Sequence, residues 1–251
     1  MPRAAMPRRA LRATLFWIAA GFFLLGVASV VLRPSSPAAT PATASAEPSP
    51  PPDAPQTTIL ILGVDDLRSD PPHLRAVWLA AYRPPGPSIY LFGLPTDAQS
   101  PAGAVLEDLF SWGPQGGLSS EFLDAVASLS PVTLDVTAVL DETAFAAMID
   151  FLGGIDLKGG RVGGREVVAV MGLLSGDASA SLEAQRQLLG AMALRMVDIG
   201  PGTELQPLAD LVPNHAYLSV PVTDLLTRLA PLLPLDPANI LISLPLPAPG
   251  N

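Results

Sequence analysis

Cysteine is absent from the 251 residues, which excludes a disulfide scaffold, a thiolate nucleophile, a zinc ribbon and an iron–sulfur site. Histidine occurs only at His73 and His215, too few for a histidine-rich metal centre. Charged residues make up 15 %, against a usual share of about a quarter. Basic side chains are scarcer still beyond the N-terminus. Five of the 14, Arg3, Arg8, Arg9, Arg12 and Arg33, precede the main body, as do two of the 23 acidic residues, Glu47 and Asp53. From Gln56 onward nine basic residues face 21 acidic ones, a net charge of −12. Such a body repels a phosphate backbone, and no basic run follows Arg33, so nucleic acid is not an expected partner. The chain also lacks a G-x-S-x-G elbow, a P-loop and a G-x-G-x-x-G turn, which removes serine-hydrolase and nucleotide-loop chemistry. No repeat of 20 to 50 residues is visible.

Apolar residues, at 49 %, are ample for a core. Leu15 to Leu32 contains eighteen residues without a charge, about 27 Å of helix, enough to cross a bilayer's hydrocarbon core. Four arginines precede it and one follows, which predicts a cytoplasmic stub (residues 1–14) and an extracytoplasmic body. Ala44-Ser45-Ala46 offers an alternative: cleavage of a signal peptide after Ala46. Both readings place the body outside the cytoplasmic membrane. Residues 33–56, ending in a proline-rich stretch, have too few large apolar side chains to pack and read as an extended tether.

The body mixes strands and helices. Thr57–Val64, Arg75–Tyr82 and Ser88–Leu94 read as buried strands, Val132–Leu140 as an alternating one, and Asn239–Leu244 as a short closing one. Leu118–Leu129, Asp141–Leu152, Leu182–Val197 and Val222–Leu233 show helical spacing. Asp141 is the natural N-cap of its helix, which Gly153-Gly154 ends; Gly200 to Gly202 ends the next. The pattern predicts an α/β fold, a three-layer α-β-α arrangement with a central mixed sheet and helices on both faces, preceded by one transmembrane helix.

Candidate chemistry lies at strand ends, where open α/β sheets bind ligands. Asp65 and Asp66 follow the first strand; they either hold Mg²⁺ or cap local backbone. Asp97 follows Pro95 at a second strand end. Arg186 and Gln187 lie in the long helix, where Arg186 either reaches a phosphate or pairs with Glu183 on a solvated face. His73 and His215 read as surface loop residues. The glycines from Gly159 to Gly164 read as a hairpin-like turn with no capped, lysine-bearing helix behind it.

The order of segments resembles the LytR–CpsA–Psr family of cell-envelope proteins. ILILGVDDLR (59–68) is similar to the family's opening strand and aspartate turn, and LFGLPTDA (91–98) to its strand ending in Ser-Ile-Pro-Arg-Asp. Residues 116–157 follow the family's helix, strand, helix and Gly-Gly-Val-Asp turn, LEAQRQLLGAM (182–192) its Arg-Gln helix, and 222–247 its closing helix and strand. The resemblance spans residues 57–247, leaving 248–251 as a tail. It implies a membrane-anchored domain that binds a polyprenyl (pyro)phosphate glycan and transfers it to the cell wall, with Mg²⁺ and arginines neutralising the pyrophosphate. Asp65 matches the metal-binding aspartate, Asp97 and Arg186 the catalytic positions, and Arg75 and Gln187 the substrate-binding ones.

Elsewhere the family's pattern is broken. Thr96 replaces the signature arginine, Glu183 replaces another, and the paired arginines expected near Gly172 are missing. The family's second aspartate falls near Leu74-Arg75-Ala76-Val77, so its carboxylate is lost. Each lost transition-state donor costs about 100- to 1000-fold in rate. The expectation is therefore a family-like architecture with a degraded active site and a binding or scaffolding role. An active Mg²⁺-dependent phosphotransferase with a reduced arginine set, or an unrelated secreted α/β binding domain, are the alternatives.

Overall fold

A computed structural model describes residues 56–84, 86, 88–113, 116–130, 132–196, 207, 210–211, 214–229, 232 and 236–245. The stub, the apolar run 15–32, the tether up to Pro55, the glycines at 200 and 202 and the tail 248–251 lie outside the described residues. Among the described residues, no helix is long and apolar enough to cross a membrane.

The chain begins with β1 (Thr57–Val64), β2 (Leu74–Tyr82) and β3 (Ile89–Leu94), followed by a short α1 (Leu106–Leu109) and α2 (Ser120–Leu129). Then come β4 (Val136–Asp141), α3 (Glu142–Phe151), a hairpin of β5 (Ile155–Leu157) and β6 (Gly160–Val162), and α4 (Gly164–Leu173). The long α5 (Ala178–Met196), β7 (Ala216–Leu218), α6 (Val222–Leu229) and β8 (Ile240–Ser243) complete it. The fold is α/β, with a mixed six-stranded sheet in the order β7-β4-β1-β2-β3-β8.

Register brings distant residues to one edge of this sheet. β1 and β4 run parallel, with Val64 opposite Asp141. β2 runs the other way, so its first residue, Leu74, meets Val64 after a bulge at Gly63 and Val64. β3 ends with Leu94 opposite Val77, and β7 starts with Ala216 opposite Leu140. The same edge therefore gathers Asp65, the Asp141–Glu142 step, His73 and Arg75, the Thr96–Asp97 loop and His215.

Alternation along β1 divides the core. Leu60, Leu62 and Val64 pack with Leu106, Phe122 and Val126 of α1 and α2. Ile59 and Ile61 pack with Leu225 and Leu229 of α6. A third cluster joins α3, α4 and α5 through Ile149, Val167, Leu188 and Met192. Burying each such side chain contributes about 1.5–3 kcal/mol.

Local signals account for most boundaries. Ser119 Oγ accepts the Phe122 N–H at 3.2 Å and starts α2; Asp141 Oδ1 accepts the Ala144 N–H at 2.9 Å and starts α3. Gly153 and Gly154 end α3 with φ of +73° and +83°, open to glycine at little cost. β4 starts at Val136, four residues later than predicted, because Asp135 first clasps β1: the Thr58 N–H donates to its carboxylate at 2.8 Å. α5 starts earlier than predicted, at Ala178, with Asp177 Oδ1 accepting the Ala180 N–H.

The glycine-rich stretch forms the expected hairpin, and the helix behind it, which no sequence signal assigned, carries no lysine. Glu166 accepts the Gly163 N–H at 3.0 Å and opens α4. Gly164 is needed because a Cβ there would lie 2.0 Å from the Ala146 carbonyl oxygen, so α3 and α4 can approach closely only without it.

Candidate functional site

A cavity of about 650 Å³ lies between the α6-facing side of the sheet and helices α3 to α6. Ile61, Trp78, Ala80 and Leu91 form its floor; Met171, Leu189, Met192 and Leu225 cover it. Ile61 and Leu91 sit on central strands yet are only half-buried, because the space above them is open. Protein interiors are normally close-packed, so a mostly apolar void of this size is a ligand-site feature.

At the sheet edge, α5 is strapped across the mouth. The Trp78 indole N–H donates to Gln185 Oε1 at 2.7 Å, and Gln185 Nε2 donates to the Arg75 carbonyl at 3.0 Å and to Ser181 Oγ at 3.1 Å. Leu182 closes the seam over Gly93, where a Cβ would come within 2.7 Å of it.

Two carboxylate–imidazole pairs stand on this edge. Asp65 Oδ1 accepts the backbone N–H groups of Asp66 and His73, both at 2.8 Å, and Oδ2 accepts His73 Nδ1 at 2.7 Å. Burial pushes the Asp65 carboxyl up, but these hydrogen bonds outweigh it and hold it below the ordinary 3.8. Asp141 is 1 % exposed. Its Oδ2 accepts His215 Nδ1 at 2.7 Å, and its N–H donates to the His215 carbonyl. His215 is thus an inward-facing partner of a buried carboxylate, not the surface residue predicted.

Arg75 spans the space between these groups. Its guanidinium lies 4.0 Å from Asp65 Oδ2 and, through Nε, 3.8 Å from Glu142 Oε1. Neither distance is a hydrogen bond, and the buried Nε has no hydrogen-bond partner among the described residues. Burial lifts the Glu142 carboxyl above its ordinary 4.5; Arg75 opposes the rise, while Asp65 and Asp141 add to it.

The sequence-derived candidates separate. Arg75 lines the cavity, and Asp65 faces Arg75. Thr96 lines it too, whereas Asp97 is exposed beyond the lining. Arg186 and Gln187 point elsewhere. Glu183 accepts Arg186 Nε at 2.8 Å and Nη2 at 2.5 Å, and Gln187 Nε2 at 2.9 Å. These bonds lower the Glu183 carboxyl to about 2, Arg186 contributing most. Among the described residues, Arg75 is the arginine at the cavity wall.

Sequence reasoning missed Gln185, Asp141, Glu142 and His215. Gln185 had a signal: it falls in the stripe of Leu182, Leu189, Met192 and Met196, where a polar residue must find a buried partner. His215 had none, since its partner lies 74 residues away.

The described residues do not fit the Mg²⁺ that the resemblance implies. Both oxygens of Asp65 already accept hydrogen bonds from the protein, the stretch Leu74–Val77, where the resemblance places a second aspartate, carries no carboxylate, and the described residues contain no group of three His, Asp or Glu suited to a metal ion.

No family model matches the sequence, and no curated protein does. Solved structures do match. Bacillus subtilis TagV aligns with a TM-score of 0.60 at 17 % identity, over 75 % of this chain and 84 % of its own. The B. subtilis protein yvhJ, described as a transcriptional regulator, aligns at 0.56 and 17 %, over 75 % and 81 %. TagT bound to LI-WTA aligns at 0.57 and 16 %, over 75 % and 78 %. The chain has the LytR–CpsA–Psr-like fold that its sequence resembles.

Proposed function

We propose that this chain is a membrane-anchored, extracytoplasmic binding or scaffolding protein of the cell envelope, which holds the apolar chain of a lipid in its cavity and transfers no phosphoryl group. The observation that carries this reading is the 650 Å³ apolar cavity whose described wall offers a single arginine. The fold shared with TagT, whose structure is bound to LI-WTA, supports a ligand-binding role. The arginine-flanked run Leu15–Leu32 supports the anchor and its orientation. Loss of transfer chemistry is supported by the pairing of Arg186 with Glu183 and by the Asp65 oxygens, already occupied by protein donors.

Phosphoryl transfer depends on cations that neutralise developing charge. One guanidinium between two carboxylates supplies little of that. A lipid chain needs only apolar area, at about 25 cal/mol per Å² buried.

A pull-down of the full chain on immobilised polyprenyl phosphate, with and without Mg²⁺, tests the reading. Retention independent of Mg²⁺ and unchanged in Arg186→Ala is expected. Retention that requires Mg²⁺ and disappears in Arg186→Ala would instead establish the active phosphotransferase. No retention at all would remove the lipid-holding role.

A further inference from the structure

A surface helix normally turns polar residues to water. α4 does not. Val168 and Met171 line the cavity on its inner side, while Ala169, Val170 and Leu173 are exposed on its outer side, Val170 at 55 % and Leu173 at 86 %. Residues 167–176 carry no charge at all. A helix apolar on both sides needs a second apolar surface against it. The other large exposed apolar side chains among the described residues belong to other elements: Tyr90 and Leu241 are paired on β3 and β8, and Leu194 lies near the end of α5.

The patch borders the mouth of the cavity. Gly172 and Ser175, at the end of α4 and just beyond it, are exposed and line the cavity. α5 then crosses the sheet edge, where Gln185 donates to the Arg75 carbonyl. A protein seated on this patch would close the opening, whereas a bilayer would present acyl chains to it.

The nearby charges suit a lipid surface. Lys158, Arg161 and Arg165, exposed on the β5–β6 hairpin and the first turn of α4, are three of the nine basic residues from Gln56 onward. With Asp156, Glu166 and Asp177 they leave residues 156–177 neutral in a body that carries −12. An anionic leaflet repels that body as a whole but not this segment. Residues 33–56, read as an extended tether, span up to about 75 Å, more than the roughly 40 Å width of a domain this size, so α4 can reach the membrane.

We infer that the outer face of α4, formed by Ala169, Val170 and Leu173, seats on the surface of the lipid bilayer and holds the cavity mouth against the leaflet, so that a lipid tail enters without crossing water. This inference rests on the membrane-anchored reading and adds the surface that meets the membrane.

The absence of cysteine allows one fluorescent label at a time. An environment-sensitive fluorophore is placed at Leu173→Cys, and separately at Ala127→Cys on the exposed side of α2, which packs on the other face of the sheet. The full chain is reconstituted in liposomes of phosphatidylethanolamine and phosphatidylglycerol, and flotation checks that it stays with them. Lipids spin-labelled on the acyl chain are expected to quench at least about half of the emission at position 173 and to leave that at position 127 within about a tenth of its unquenched value. Adding Val170→Glu to Leu173→Cys should restore most of the lost emission. Equal quenching at both positions, or none at 173 in a chain that floats, overturns the inference and leaves the anchored reading standing. Emission at 173 that is blue-shifted yet unquenched means that protein covers α4, a second copy or residues 15–32, and overturns it as well. Full quenching that persists with Val170→Glu overturns the role of the apolar face. A chain that does not float overturns the anchored reading and the inference with it.

Discussion

Leu62 and Ile61 are neighbours in β1, yet they face different surroundings. Leu62 is fully buried and packs in the cluster that contains Phe122 and Val126 on one side of the sheet. Ile61 points to the other side, is half-buried, and looks into 650 Å³ of open space. The same strand supports a close-packed core on one face and a hollow on the other. The packed face carries much of the fold's stability; the hollow face forgoes dispersion contacts that a filled core would make. A protein selected for stability alone would fill that void.

Mutations can sharpen this contrast. The largest effect is expected on the packed face: Leu62→Ala should destabilise by about 3–5 kcal/mol, through lost transfer energy and a residual cavity, whereas Ile61→Ala should cost about 1 kcal/mol because its side chain already borders a void. Urea denaturation of the two variants measures the difference, and equal losses would mean that the hollow face is packed in solution. Next comes Asp141→Ala. It leaves the Ala144 N–H without its cap and His215 without a partner, for about 1–3 kcal/mol.

Glu142→Gln should act in the opposite direction. The raised Glu142 pKa means that the folded state holds its proton longer than the unfolded one. Ionised Glu142 therefore opposes folding. The penalty is absent below the ordinary value of 4.5, grows as pH rises through that value, and is complete above the folded-state pKa. With solvent screening, the glutamine variant should gain a few tenths of a kcal/mol at pH 7. Thermal melts at pH 7 and below pH 4.5 should show that gain in the first and none in the second. Smallest is Arg186→Ala, which removes an exposed pair with Glu183 and should leave lipid retention unchanged.

Much of the architecture was legible because local signals were strong. The continuous apolar run at Thr57–Val64, the Asp141 cap and the Gly153-Gly154 stop each correspond to the observed element. α4 was not, because its Val-Val-Ala-Val run carries no clear helical stripe and opens on two glycines whose reason is the approach of α3. The site was only partly legible. Asp65 and Arg75 meet where the strand ends predicted, but they meet through β-sheet register, and register joins residues far apart in the chain. Arg186 was misleading: its neighbour Glu183, visible three residues away, takes it up entirely on its own helix. Gln185, one position earlier, belongs to the buried stripe and makes the contact across the mouth.

Ala193, 6 % exposed and part of the cavity wall on α5, permits the most direct test of whether a lipid tail occupies the hollow. Retention on immobilised polyprenyl phosphate should be measured for the full chain and for Ala193→Trp, which would fill the space with an indole. Retention by the wild type and its loss in a folded Ala193→Trp is the predicted result. Equal retention by both would show that the lipid lies elsewhere and would contradict the account.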